Sequence, residues 1–389
     1  MKSMTICMVL VSVVCACTAG AQVTAGRHGD PVGTAREAVQ KFPQNASAHA
    51  KLAAALIDAD DGPASSGTLE EAQQEIGLAL KYDPKNLEAA AVECSLYLKR
   101  HEFEKALEAA RDTNRKIPDD VRFYGLVADA DIELGNYPDA EQATQWMLNL
   151  RPGNTPALLH TARLREIYGD LEGAEQVLEQ ALEQTAPFQS RERASDAVHM
   201  AHLAYLRGDL DRAWQWAERS LQWSPGFGEA LTEEAAIEVH RGHAEHAVSL
   251  LQDRYATTRD PRYLFRLGQA LEAAGKGAEA TGAFQQFEAA ALKASPGEDN
   301  ANRELILYYI DVAHKPQDAL RIAKAEASVR HDVMTMDAYA WALYAAGDRS
   351  EARKQIAQVV SVGTKEPEIL EHQKRIDGSS EPATVAVRN

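Results

Sequence analysis

The chain has 389 residues, with 41 Lys and Arg against 58 Asp and Glu and a formal charge of −17. That balance argues against a phosphate-binding surface, which needs clustered cations, so no nucleic-acid partner is expected. With 45% hydrophobic and 25% charged residues, the composition is that of a globular protein and not of an acidic disordered chain.

The chain opens on Lys2, an apolar run from Met4 to Val14, and small residues up to Ala21. This anatomy, with Ala19-Gly20-Ala21 before Gln22, reads as a signal peptide over residues 1–21. The protein is therefore expected to be exported, periplasmic or secreted. A second reading takes Val14-Cys15-Ala16-Cys17 as a degenerate lipobox, with a lipid anchor at Cys17 and an outer-membrane location. No later run approaches the length of a transmembrane helix. Cys94 is alone in the mature chain and lies on an apolar helix face, which suits a small core residue better than a nucleophile. Residues 22–33 and the tail 377–389 read as mobile or disordered, and Thr34–Phe42 as a lone leading helix.

From there a repeat organises the sequence. GNYPDA ends at Ala140, GDLEGA at Ala174, GDLDRA at Ala213, GHAEHA at Ala247, GKGAEA at Ala280 and GDRSEA at Ala352. Ala72, Ala106 and Ala319 hold the same place where the turn differs, and the successive spacings are 34, 34, 34, 39, 34, 33, 39 and 33. Each unit reads as a helix, a tight turn and an antiparallel second helix. Small residues (Ala128, Ala162, Ala201, Ala235, Gly268, Ala340) let the helices cross closely. The turn glycines suit a left-handed residue, and Pro84, Pro118, Pro152 and Pro225 stop the second helices.

This skeleton resembles the tetratricopeptide repeat over about residues 46–365, most closely in Leu264–Phe287 and Met336–Ile356. The resemblance implies an all-α fold: a right-handed superhelical solenoid of antiparallel helix pairs, about nine repeats, within residues 34–376. Three departures stand out. Asp58–Thr68 is an insertion in the first unit, His314 replaces a turn glycine, and residues near 184–193 and 291–300 lengthen two spacings to 39. Pro367–Ile376 reads as the closing helix that a solenoid needs to hide its last apolar face.

In such a superhelix the first helices line the concave face. By register its outward positions are Asp129, Glu133, Arg163, Glu166, His202, Tyr205, Phe265, Gln269, Glu272, Tyr308, Asp311 and Tyr344. Trp341 shares that register, with packing against the next unit as its competing role. Aromatics beside charges suit capture of an extended peptide or helix. Acids outnumber bases among these positions, so a basic or neutral guest is expected. His240, His243 and His246 are spaced at intervals of three, but Gly242 interrupts the helix that a shared metal face would need. No catalytic motif follows a strand, so no enzyme, cofactor or metal is expected. The expected function is a non-enzymatic protein–protein interaction scaffold of the cell envelope. One alternative is a tethered lipoprotein acting as assembly factor for envelope or exopolysaccharide machinery. Another is an enzyme or metal-binding protein built on His240/His243/His246.

Overall fold

The computed structural model describes residues 30–59, 67–293 and 301–378. The leader, Cys17, most of the first-unit insertion and the tail beyond Gly378 lie outside the described residues. Twenty helices and no strand occur among those described. A leading helix, α1 (Pro31–Lys41), is followed by nine helix pairs. They are α2/α3 (Ala46–Asp58, Thr68–Tyr82), α4/α5 (Leu87–Lys99, Phe103–Lys116) and α6/α7 (Val121–Glu133, Tyr137–Leu150). Next come α8/α9 (Thr155–Ile167, Leu171–Gln184), α10/α11 (Ser190–Leu206, Leu210–Trp223) and α12/α13 (Gly228–His240, Ala244–Thr258). The last are α14/α15 (Pro261–Ala273, Gly277–Ala291), α16/α17 (Asn302–Asp311, Pro316–Glu326) and α18/α19 (Val333–Ala345, Arg349–Ser361). Helix α20 (Pro367–Asp377) closes the stack.

The punctuation is local chemistry. Pro43, Pro84 and Pro152 follow helix ends, and two residues later Asn45, Asn86 and Asn154 each cap the next helix through a side-chain oxygen. Such a cap stabilises a helix by about 1 kcal/mol. Within the pairs, Gly135, Gly169, Gly208, Gly242, Gly275 and Gly347 all take the left-handed conformation. Where the unit lacks that glycine, His101 and His314 adopt it instead. Helix α1 begins three residues before the expected Thr34, within the stretch read as a linker, because Pro31 presets the dihedral of a first helical turn. The extra residues of the fifth unit lengthen α10 to 17 residues.

Packing follows the small-residue positions. Ala128, Ala162, Ala201 and Ala340 have no accessible surface. A methyl group added to Gly268 would collide with the Phe284 ring. Cys94 is buried, and burial pushes its thiol up to about 12, which makes it inert.

The stack closes on itself. The turn before α18 reaches across to the third unit: His331 N–H donates to the Glu133 carbonyl at 2.9 Å, and Val333 N–H donates to Tyr137 Oη at 2.9 Å. A Cβ on Gly135 would stand 2.6 Å from the His331 carbonyl oxygen. The turn before α20 does the same to the fourth unit, where Gly169 and Gly363 bring two backbones together with no room for a side chain. The cores record this closure. Apolar residues of units two and three, with Leu164 and Ile167 of the fourth, share one cluster with those of units six to nine, while most core residues of units four and five belong to other clusters.

Candidate functional site

Closure fills part of the concave face with the chain's own residues. Asp129 is buried and its Oδ1 faces His160 Nε2 at 3.0 Å. Glu133, also buried, pairs with Arg163 at 2.9 Å and with Arg330 at 2.6 Å, so a residue from the eighth unit's end neutralises one from the third. Glu166, His202 and Tyr205 are buried as well. Tyr205 Oη lies 3.1 Å from His240 Nε2.

The later aromatic positions turn into the seams between units. Phe265 packs with Phe284 and Phe287, and Tyr308 sits between those same rings. Their exposure is 2% and 6%, so neither ring offers surface to a guest in this conformation. Tyr344 is half-buried and stacks on Trp341 at 5.2 Å, and Trp341 in turn stacks on His372 at 4.4 Å. Gln269 is half-buried, while Glu272 and Asp311 are exposed, with Asp311 accepting from Trp341 Nε1 at 3.3 Å. Register could not tell a groove position from a seam position one turn away.

A cavity of about 300 Å³ remains at the centre, bounded by α6, α8, α14, α16 and the start of α18. Its wall carries Asp129, Glu133 and Arg163 from the expected set, and adds Arg254, Arg262, Arg266, Arg303, Arg330, Asp260, Glu304 and Asp332. Most of these charges are matched inside the chain. Arg262 pairs with Asp260 at 2.7 Å, Arg330 with Asp332 at 2.7 Å and Arg303 with Glu368 at 2.6 Å. Arg266 differs. It is 5% exposed, its NH1 donates to Gln269 Oε1 at 3.2 Å, and its NH2 is buried with no hydrogen-bond partner. A buried cationic donor left without an acceptor is costly, by about 1–3 kcal/mol or more.

Beside the cavity lies a second polar cluster that the register did not isolate. His202 Nε2 is 2.9 Å from Glu366 Oε1 and 3.7 Å from Glu166 Oε1, and its Nδ1 is 3.5 Å from Glu233 Oε1. His199 Nε2 approaches the other oxygen of Glu166 at 2.5 Å. Burial opposes charge on His202, yet Glu366, Glu233 and Glu166 outweigh it and hold the imidazole well above its usual pKa. Burial raises Glu233, which His202 only partly offsets. Burial also acts upward on Glu166, but His199, His202 and Arg163 bring it below the usual range. Glu366 lies in a stretch outside the helix pairs, so no repeat signal could place it here. Acid and imidazole at buried positions of successive first helices were the available hint.

The histidine run is divided. His240 turns toward Tyr205, whereas His243 and His246 lie 2.6 and 3.7 Å from Glu238. Trp214, Trp216 and Trp223 are each half-buried beneath an arginine (Arg241, Arg219 and Arg193). No described helix is long and apolar enough to cross a membrane.

No family model and no curated protein matches the sequence. Solved structures do resemble the fold. A chain of the APC/C hetero-tetramer Cut9-Hcn1 superposes with a TM-score of 0.53 at 14% identity, over 89% of this chain and 66% of that one. This chain thus spans just under two thirds of that structure. Human IFIT1, in the dimer with m7Gppp-AAAA, gives 0.55 at 15% identity, over 85% of this chain and 76% of that one. A thermophilic TPR protein of Thermus thermophilus matches at 0.42 and 20% identity, over 49% of this chain and 98% of its own. With its glycine turns, small crossing residues and nine helix pairs, the chain is by fold a tetratricopeptide-repeat solenoid.

Proposed function

We propose that this solenoid is a non-enzymatic interaction scaffold of the cell envelope that takes an acidic group of a partner segment into its central cavity. The observation that carries the reading is Arg266, a buried guanidinium at the cavity wall whose NH2 has no acceptor. A carboxylate from a side chain or chain terminus supplies that acceptor in a charge-assisted hydrogen bond. The acids that suggested a basic guest, Asp129 and Glu133, are engaged by His160, Arg163 and Arg330. An acidic guest therefore replaces the expected basic one. Size narrows it further: about 300 Å³ holds a few side chains, whereas a helix is about 10–12 Å across and needs a wider channel.

The test is a pair of labelled peptide pools identical except for free or amidated acids, read by fluorescence anisotropy. The expected result is preference for the free acids, lost about 10-fold or more in Arg266→Gln, as suits a charge-assisted bond of about 1.5–3 kcal/mol. Equal binding of both pools, or an unaffected variant, sinks the cavity reading. The envelope assignment rests on the leader at residues 1–21. Mass analysis of the processed chain from its native cell supports it if the chain starts at Gln22 or at an acylated Cys17, and overturns it if Met1 to Ala21 are retained.

A further inference from the structure

We propose that Glu166, His202 and Glu366 form a binding site for one divalent transition-metal ion of the zinc type, joining α8, α10 and the turn before α20. One ligand atom from each residue lies within 4.8 Å of the others, and all three side chains are buried.

Hydrogen-bond arithmetic points to an ion. Two carboxylate oxygens face one imidazole nitrogen: Glu366 Oε1 at 2.9 Å and Glu166 Oε1 at 3.7 Å. That nitrogen carries at most one N–H, which serves Glu366. Glu166 Oε1 is then left buried without a hydrogen-bond partner. A divalent ion satisfies both oxygens and the nitrogen at once. The spacing suits it, because zinc bonds of about 2.0–2.2 Å in a tetrahedron set neighbouring ligand atoms about 3.4 Å apart. The two measured separations bracket that value.

The surroundings also have the form of a metal centre's supporting shell. A ligating histidine commonly directs its other ring nitrogen to a carboxylate, and ligating carboxylates are themselves held. Here Glu166 Oε2 is held by His199 Nε2 at 2.5 Å, while Glu233 Oε1 stands 3.5 Å from His202 Nδ1, short of a hydrogen bond. Nitrogen and carboxylate donors with no thiolate fit zinc and its first-row neighbours better than a soft thiophilic ion. The ligands span residues 166 to 366, so the ion would rivet the closed stack.

The test uses the full-length chain, stripped of metal with a chelator and titrated with Zn²⁺ by calorimetry and with Co²⁺ by absorbance. One equivalent is expected to bind with micromolar affinity or better, and the cobalt form is expected to show the visible absorption of a four- or five-coordinate ion. Glu366→Gln keeps the side-chain shape and is expected to weaken binding at least about 10-fold. The double variant His243→Ala/His246→Ala, which removes two exposed histidines, is expected to retain the equivalent. Absence of binding to the unmodified chain overturns the proposal, whatever the variants do. So does binding that Glu366→Gln leaves unchanged, or binding that the double variant abolishes.

Discussion

Single residues carry two kinds of constraint that look alike in the sequence. Gly208 and Gly169 both occupy left-handed turns, at φ 80° and 78°. Around Gly208 a Cβ would meet nothing within 4 Å, whereas at Gly169 it would strike the Gly363 backbone. Gly208→Ala is therefore expected to cost only the left-handed penalty, about 1–2 kcal/mol. Gly169→Ala adds a backbone clash and is expected to cost clearly more by urea unfolding; equal losses would argue against the close approach. Glu234 supplies a second residue-level prediction. Burial, then the charges of Glu218 and Glu238, push its carboxyl up to about 7. An acid raised in the folded state favours folding at low pH, and this advantage is lost as pH rises from the ordinary carboxylate range through 7. Glu234→Gln should thus raise the thermal midpoint at pH 8, and by clearly less at pH 5, where only the first part of that advantage has been lost. The gain at pH 8 is on the order of 1 kcal/mol or more.

Helices were the most legible level. The Gly turn, the Ala five residues later and the Pro-x-Asn junction are local signals, and the helix pairs follow them because each signal acts within one or two turns. Even the His314 departure kept its turn, at the expense of a left-handed non-glycine residue. What sequence could not deliver was rotation. Phe265 and Tyr308 share the register of Asp129 and Glu133, yet they pack into seams, because a few degrees of helix roll decide which neighbour a side chain meets. Helix α20 illustrates an element whose role was readable from its position: Ile369 is fully buried and caps the last pair. Ile369→Ala is expected to destabilise by about 2–5 kcal/mol, as large-to-small core changes do. A thermal melt showing no loss would mean that the last pair does not rely on this cover.

At the level of the whole molecule, closure is the property that no local pattern encodes. It arises from the summed twist of the pairs between the third and the ninth, and its contacts join positions 196 and 164 residues apart. Tyr137 is the simplest probe. Tyr137→Phe leaves the buried Val333 N–H without its acceptor, at an expected cost of about 1–3 kcal/mol. Amide exchange around residues 331–336 should accelerate, and exchange as slow as in the unmodified chain would show that the junction does not depend on this bond.

The Tyr137–Val333 junction also bears on how the molecule comes apart. An open solenoid frays from both tips, since each tip has only one neighbour. Here the carboxyl tip is clasped to the third and fourth units, while α1, α2 and α3 pack chiefly on one another and on α4. Unzipping should therefore be one-directional, beginning at the amino tip and halting where it meets the clasp at the third unit.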